Sequence, residues 1–330
     1  MAHITLFAHP NCSLSSIFGP MDALAMANLW RQTLEGEKYD GAPLFTWDIV
    51  SIDGKPVKGY GGVVIEPHRS IDEVERTDFI LLPAFLPPFE FIGKTPWRLL
   101  TWLQDQHSKN TLIGATCTGT FLLAETGLLR GKVATTNWVY ARFFKRLHPE
   151  VRLEQERILC VDGGLITSGA TTSFLDLSRY LIKKFGSEEL AFCCAKSLLV
   201  DSGVRSQSPY FIFDFQKNHT DHKILEAQTH MEGNLTESFS LDELATGLGI
   251  SPRHFKRRFK SATGDSPLAY LQRLRVEAAK QRLETTRETV DEITSQVGYE
   301  DTNSFRRLFR KFTGLSPREY RERFARAEGQ

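Results

Sequence analysis

The sequence predicts two domains of different class: an α/β domain with a doubly wound, mostly parallel sheet, followed by an all-α domain with two helix-turn-helix units. The chain has 330 residues, which exceeds one typical domain. In the N-terminal part, short apolar runs alternate with segments of helical periodicity, as in a parallel sheet covered by helices on both faces. Near the end, a pattern of helix, glycine turn and helix occurs twice, fifty positions apart. We therefore expect domains at 1–200 and 223–330, joined by a linker at 201–222.

The N-terminal elements are predicted from apolar runs and from helical spacing. In chain order they are a strand at 3–8, a helix at 19–30, strands at 44–52, 63–65 and 78–82, a helix at 96–107, a strand at 111–116 and a helix at 119–125. A capped helix at 187–200 closes this domain or forms a dimer face, and the sequence leaves both alternatives open. In a sheet of this class, the ligand site is expected at the carboxyl ends of the strands.

One strand-to-helix turn has chemical interest, because TLIGATCTGTF places Cys117 between a buried strand and a helix start. This order is typical of a nucleophile elbow, and a helix N-terminus is expected to lower the pKa of such a thiol. The alternative is a small, buried core cysteine beside a glycine turn.

The segments around this turn resemble the DJ-1/PfpI family. The resemblance rests on the C-T-G-T turn, the G-K-V-A-T-T segment and the DGGLITSGATTS run, and it covers about residues 1–185. It implies a flavodoxin-like, class I glutamine amidotransferase-like fold. It also implies that enzymes of the family place a histidine near the elbow cysteine and an acidic residue opposite it.

This chain departs from that pattern at the proton-transfer positions. Thr118 and Asn137 stand where histidine is common, and Ser15 or Ser16 stands at the acidic position. Asp22 is a partial substitute for the acid. Because asparagine cannot titrate, the thiol has no base. We therefore predict no catalytic residue, no metal and no cofactor, with Cys117 as the remnant of an elbow.

The expected role of this domain is to bind a small ligand. Backbone N–H groups at a helix start favour a carboxylate or another anion, and the aromatic faces of Phe85 and Trp138 would accept a cation. Core packing is the alternative for both rings. The effector classes expected are amino acids, betaines and related nitrogen metabolites. The predicted ligand-binding residues are Asp22, Phe85, Cys117, Thr118, Asn137 and Trp138.

The duplicated C-terminal pattern has the features of a DNA-recognition helix. Gly249 ends one helix, and Ser251 and Pro252 begin the next. Phe255 and Phe259 fall on one face of that helix, which leaves its basic side chains outward, as suits a major groove. A basic amphipathic helix alone is more often a solvated surface or a partner-binding face, but duplication of the whole pattern favours DNA. The matched positions are Phe255, Arg257, Phe259, Thr263, Gly264, Ser266, Pro267 and Tyr270, which recur as Phe305, Arg307, Phe309, Thr313, Gly314, Ser316, Pro317 and Tyr320.

From about residue 223 to 324 the chain resembles the double helix-turn-helix domain of the AraC/XylS family of transcription regulators. The run GYEDTNSFRRLFRKFTGLSP carries this resemblance. Arg205, Gln207 and Pro209 resemble the linker segment of the GlxA-type branch, which pairs the two domains. Helices are expected at 224–231 and 268–283, the second as a spacer that matches successive major grooves, about 34 Å apart.

The DNA-contacting residues follow from helical position. Arginine recognises guanine and asparagine recognises adenine in the major groove. The candidates are Arg253, Lys256, Arg257, Thr302, Asn303, Arg306 and Arg307.

Composition limits the class of protein. The formal net charge is +1, so nucleic-acid affinity must come from local clustering. The five cysteines form an odd set without metal-ligand spacing, which favours a reducing compartment. The sequence shows neither a membrane span nor a signal peptide, so we expect a cytoplasmic bacterial protein.

The favoured hypothesis is a transcription regulator that a small metabolite controls. Its expected partners are promoter DNA, a second copy bound through the N-terminal domain, and RNA polymerase. One alternative is an active cysteine hydrolase or hydratase fused to a DNA-binding domain. A third hypothesis, a non-specific architectural DNA protein, is disfavoured by the near-neutral charge and the two separate helix-turn-helix units.

Overall fold

A computed structural model describes residues 1–87, 89, 92–201, 206–213, 215–237 and 239–326. The chain divides into two compact units, Met1–Gln207 and Ser208–Gln330. The division falls within the predicted linker, two residues of which are buried: Gln207 in the first unit and Pro209 in the second. Arg205 of the linker motif lies outside the described residues.

The first unit contains a seven-stranded sheet of order β10-β11-β7-β6-β1-β2-β5, in which every pair is parallel except β10 with β11. This arrangement confirms the predicted α/β class. β3 and β4 form a separate antiparallel pair, so the strand predicted at 63–65 lies outside the main sheet. The strands are β1 (Ala2–Phe7), β2 (Phe45–Ser51), β3 (Val57–Lys58), β4 (Val64–Ile65), β5 (Arg69–Ser70), β6 (Phe79–Leu82), β7 (Leu112–Thr116), β8 (Val133–Ala134), β9 (Arg152–Leu153), β10 (Leu159–Asp162) and β11 (Leu165–Ser168).

Helices cover this sheet, with one apolar core on each face. Ile4, Leu24 and Leu181 belong to the first core, and Phe7 and Leu103 belong to the second. Alternation along β1 explains the division, because successive strand residues point to opposite faces. The helices are α1 (Ser15–Glu35), α2 (Trp97–Ser108), α3 (Gly119–Glu125), α4 (Ala141–Leu147), α5 (Phe174–Phe185) and α6 (Glu188–Ser197).

The topological switch point of the sheet lies between β1 and β6. The chain passes from β1 to β2 on one side, whereas β6, β7 and β11 follow on the other. The loops after β1 and β6 are joined there by a bridge between Cys12 and Phe85. Ligands of open α/β sheets bind at the carboxyl ends of the strands near such a point.

The described residues of the second unit form helices and their connections, as predicted, with two cores that share one helix. α10 supplies Tyr270 and Leu274 to the first core and Val276 and Leu283 to the second. Every helix that the structure describes is too short or too polar to cross a bilayer. The helices are α7 (His222–Gly233), α8 (Leu241–Gly247), α9 (Pro252–Thr263), α10 (Pro267–Thr285), α11 (Val290–Gln296), α12 (Thr302–Thr313) and α13 (Pro317–Phe324).

Equivalent caps begin and end the two recognition helices. The Ser251 hydroxyl accepts from the His254 N–H at the start of α9, and the Asp301 carboxylate accepts from the Asn303 and Ser304 N–H groups at the start of α12. Gly264 and Gly314 end these helices with φ of +83° and +75°. Each of the two helix-turn-helix units therefore has a recognition helix that begins at a side-chain cap and ends at a left-handed glycine.

Candidate effector site and candidate nucleic-acid interface

Cys117 occupies a sharp turn between β7 and α3. Its φ is +52°, in the left-handed region that residues other than glycine rarely adopt. Hydrogen bonds to two other segments hold the turn: the Cys117 N–H donates to the Ser168 carbonyl (2.8 Å), and the Thr136 hydroxyl donates to the Cys117 carbonyl (2.7 Å). A Cβ at Gly119 would lie within 3.0 Å of the Leu82 carbonyl oxygen, so only glycine permits this close contact with β6. The elbow expected from C-T-G-T is therefore present.

Two hydrogen bonds between Thr118 and Phe85 join the elbow to the loop after β6. The Thr118 hydroxyl donates to the Phe85 carbonyl (2.6 Å), and the Phe85 N–H donates to the Thr118 Oγ1 (2.8 Å). The Phe85 ring contacts His9 and Phe89, with ring centroids 5.3 and 5.8 Å away. Phe85, which was predicted to line the ligand site, is instead buried with 1% exposure, because its ring belongs to the aromatic core.

The Cys117 thiol is also buried, with 4% of the residue exposed. Burial raises the pKa of the thiol, and hydrogen bonds from Thr171, Thr118 and Asn137 oppose this rise only in part. The prediction that the helix N-terminus lowers this pKa is therefore wrong, since desolvation dominates. The thiol stays protonated near neutral pH, and the Asn137 amide lies within hydrogen-bonding distance of it.

The remaining two predicted residues differ in position. Trp138 is half-buried in a short turn beside Asn137, and its backbone N–H donates to Gln207 Oε1 (3.1 Å). Asp22 is exposed on α1, and the thiol's hydrogen bonds come from other residues. The structure thus brings Cys117, Thr118, Asn137 and Trp138 together around one turn.

Three residues of this region were missed by sequence reasoning. Thr171 belongs to the I-T-S-G-A-T-T run, whose resemblance to the family was the available signal. Gln207 was assigned to the linker. His9 gave no signal, because a lone histidine after a strand has no distinctive spacing. It is buried, and its Nδ1 donates to the Pro10 carbonyl (2.9 Å).

Acidification is expected to destabilise the first unit through His9. Burial lowers the pKa of His9 from 6.5 to about 4, so between these values the unfolded chain binds a proton that the folded chain does not. The free energy of unfolding should therefore fall as the pH falls through this window, by up to about 3 kcal/mol. Thermal unfolding of the wild type and of His9→Asn across this range tests it.

The His9→Asn variant should show a smaller loss of melting temperature on acidification, whereas His254→Asn, at an exposed position on α9, should keep the wild-type slope. Equal slopes in all three proteins would refute the assignment to His9.

The five cysteines should differ in their reaction with iodoacetamide at pH 7.5. Cys193 is half-buried and should be labelled first, whereas Cys117 should react slowly because it is buried and its pKa is raised. Mass spectrometry of peptides over time measures both rates, and labelling in denaturant provides the reference. Faster labelling of Cys117 than of Cys193 would reveal an activated thiol and contradict the prediction that Cys117 is not catalytic.

The two recognition helices expose the predicted cations over buried aromatic rings. Phe255 and Phe259 under α9, and Phe305 and Phe309 under α12, are fully buried. Of the predicted contact residues, Thr302 is half-buried and the other six are exposed: Arg253, Lys256, Arg257, Asn303, Arg306 and Arg307. Each helix is therefore fixed by its apolar side and presents a row of donors.

An ion pair is duplicated with the helices. Lys256 Nζ lies 3.3 Å from Asp242 Oδ1 on α8, and Arg306 Nη2 lies 3.8 Å from Asp291 Oδ1 on α11. Exposed pairs of this kind contribute roughly 0–1 kcal/mol, so a phosphate would compete easily for the cations. Arg257 follows Lys256 on α9 and is exposed.

Arg258 has a different role from its neighbours. Its guanidinium donates twice to the Asp221 carboxylate, at 2.9 and 2.6 Å, and Asp221 caps α7. The hydrogen bond from Arg258 lowers the pKa of Asp221. The equivalent position in the second helix-turn-helix unit is Leu308. Arg258 therefore fastens α9 to α7 and is not a candidate for DNA contact.

The glycine turns of the two helix-turn-helix units differ in their surroundings. Gly249 and Gly298 have φ of +67° and +79°. A Cβ on Gly249 would meet only the Lys223 Nζ at 3.6 Å, whereas one on Gly298 would lie within 3.0 Å of the Leu235 carbonyl oxygen. The second turn is thus packed against backbone of the first helix-turn-helix unit.

Comparison with known proteins agrees with both parts of this structure. Residues 17–184 match the DJ-1/PfpI family and residues 244–323 match a helix-turn-helix domain family. The chain is 27% identical to the HTH-type transcriptional regulator GbdR of Pseudomonas aeruginosa, over 94% of this chain and 82% of that protein. It is 26% identical to the HTH-type transcriptional regulator GlxA of Rhizobium meliloti, over 61% and 64%.

Among solved structures, a putative transcriptional regulator from Vibrio parahaemolyticus matches with a TM-score of 0.53 and 22% identity, over 60% of this chain and 98% of that one. This likeness concerns the fold. The pairing of the two domains expected from sequence is confirmed by the family matches.

Proposed function

Since the chain belongs to the DJ-1/PfpI family and carries a second, helix-turn-helix domain, we propose that it is a sequence-specific transcription regulator controlled by a small metabolite. The observation that carries this proposal is the duplication of an exposed cationic helix face, with equivalent caps, buried rings and acidic partners. A basic surface that is only solvated does not require the caps, buried rings and acidic partners to occur twice. Two such helices suit successive major grooves on one side of DNA.

The effector is proposed to bind at the Cys117 turn without being converted. Asn137 and Thr171 supply neutral donors there, and the raised pKa of the thiol keeps it protonated. Such donors favour an oxygen-rich anionic group such as a carboxylate. Amino acids, betaines and related nitrogen metabolites are the classes to screen, since ligand binding raises thermal stability. Turnover of an amide or ester that disappears in Cys117→Ala would instead support the enzyme hypothesis.

The proposed assembly is a homodimer through the first unit, acting on promoter DNA and RNA polymerase in the cytoplasm. Leu29 on α1 and Phe192 on α6 support the dimer: their exposed fractions are 60% and 51%. These helices pack against each other, so the two side chains lie on neighbouring elements. Exposed apolar side chains on adjacent helices are typical of an interface.

Selection of duplexes from a random pool on the full-length chain tests DNA recognition. We expect enrichment of a site with two blocks of defined sequence about one helical turn apart. The affinity for the selected duplex should exceed that for unselected DNA by at least about 1,000-fold at physiological salt. Equal affinity for both would refute a sequence-specific regulator and favour non-specific binding.

A further inference from the structure

The side chain of Gln207 is buried against the wall of the effector site, with 2% of the residue exposed. Its Oε1 accepts from the backbone N–H of Trp138 (3.1 Å). Its Nε2 lies 3.0 Å from the Thr136 carbonyl and 2.9 Å from the Arg157 carbonyl. A Cβ at Gly169 would lie within 3.0 Å of this amide, so the glycine of the I-T-S-G run leaves the space that the amide fills.

The partners of Gln207 adjoin the groups that surround the thiol. Thr136, which faces Gln207 through its carbonyl, donates its hydroxyl to the Cys117 carbonyl (2.7 Å). Asn137, between the two hydrogen-bonded residues, contacts the thiol itself. An effector that displaces residues 136–138 must therefore change the hydrogen bonds of Gln207.

Residues 209–211, which follow Gln207 closely, are attached to the second unit by burial and by hydrogen bonds. Pro209 is buried. The Arg323 guanidinium donates to the Tyr210 hydroxyl (2.6 Å), which attaches the segment to α13. Lys280, on α10, is 5% exposed and donates its ammonium to the Phe211 carbonyl. Only Ser208 separates Gln207 from Pro209 in the sequence.

We propose that Gln207 is the coupling residue between the effector site and the helix-turn-helix unit. This proposal rests on the proposed function, and it deepens it by naming the route of regulation. A displacement of residues 136–138 alters the hydrogen bonds that position Gln207. Because only Ser208 separates Gln207 from Pro209, a movement of Gln207 displaces Tyr210 and Phe211 as well. These residues hold α13 and α10, and α10 joins the two recognition helices.

The experiment uses the reciprocity of coupling: if the effector site influences DNA binding, DNA must influence the effector site. Hydrogen exchange of the full-length chain is measured with and without the selected duplex. In the wild type, DNA should change exchange of the amides at 133–140 by about fivefold or more, the lower end of typical allosteric coupling. In Gln207→Met the change should fall below about twofold at unaltered DNA affinity.

Two further variants make the outcome specific. Gly169→Ala places a Cβ within 3.0 Å of the Gln207 amide and so displaces it. This variant should reproduce the loss of coupling, so the proposal stays testable if Gln207→Met folds poorly. Ser206→Ala is the matched control: it removes a hydrogen bond to the Glu156 carbonyl from the adjacent residue, and coupling should remain.

The results distinguish this proposal from the proposed function. DNA binding without any change of exchange at 133–140 in the wild type, or a change that persists in both Gln207→Met and Gly169→Ala, would overturn the coupling role and leave the regulator function intact. Failure of the wild type to bind any selected duplex would overturn both. A buried glutamine with a purely structural role predicts lower stability in the variants and an unchanged response to DNA.

Discussion

Replacing Arg257 and Arg307 together with alanine is expected to abolish selective binding to the selected duplex while the chain remains folded. The two residues occupy equivalent positions on α9 and α12, and both are exposed. An arginine that recognises guanine contributes about 1–3 kcal/mol of discrimination, or roughly 5- to 150-fold in affinity. The two positions lie on separate helices without a shared partner, so their effects should add.

Each single substitution should relax the sequence preference at one base pair, and a repeated selection on each variant would identify that base pair. Arg318→Ala is the control, because Arg318 is an exposed cation on α13 that pairs with Glu322. It should leave the preference unchanged. Equal weakening of selected and random DNA in both arginine variants would mean that these side chains contact only phosphate, and would assign base recognition to other residues.

Replacing Gly298 with alanine is expected to lower the melting temperature of the helical unit, Ser208–Gln330, markedly. The residue has φ of +79°, and a Cβ would lie within 3.0 Å of the Leu235 carbonyl oxygen. That oxygen accepts from the Arg275 Nε (3.2 Å), so the clash displaces a held backbone group. Left-handed strain and overpacking together should lower the free energy of unfolding by about 3 kcal/mol or more.

Gly249→Ala separates the two causes, because its φ of +67° is similar while the nearest atom to an added Cβ is 3.6 Å away. This variant should lose only about 1–2 kcal/mol, the cost of the left-handed conformation. Calorimetry of both full-length variants compares them directly. Equal losses would show that packing on Leu235 contributes nothing.

Where local patterns are strong, the sequence predicted the elements well. α3 begins and ends at the predicted residues, and α10 and the recognition helices follow from caps and apolar spacing. α1 is longer than predicted at both ends, and it continues through Pro20. The antiparallel edge strand β10 was not predicted, because its sequence LCVD is only partly apolar and ends in a charged residue, unlike the uninterrupted apolar FILL of β6.

The candidate site was predictable only in part, because its chemistry depends on burial and on distant contacts. The C-T-G-T turn located Cys117, but the direction of its pKa shift follows from desolvation that the linear sequence does not reveal. Gln207 meets Thr136 across 71 positions, so its resemblance to a linker motif gave its location without its partners. Phe85 was assigned to the mouth of the site because the position of its ring could not be known.

The shared helix α10 has a consequence for how this part of the molecule can be divided. Tyr270 and Leu274 complete one interior, and Val276 and Leu283 complete the other, on a single uninterrupted element. A truncation anywhere within it deprives at least one half of side chains that its interior requires. We therefore expect the two helix-turn-helix units to melt in one cooperative transition. Engineered fragments that keep only one helix-turn-helix unit are expected to be insoluble.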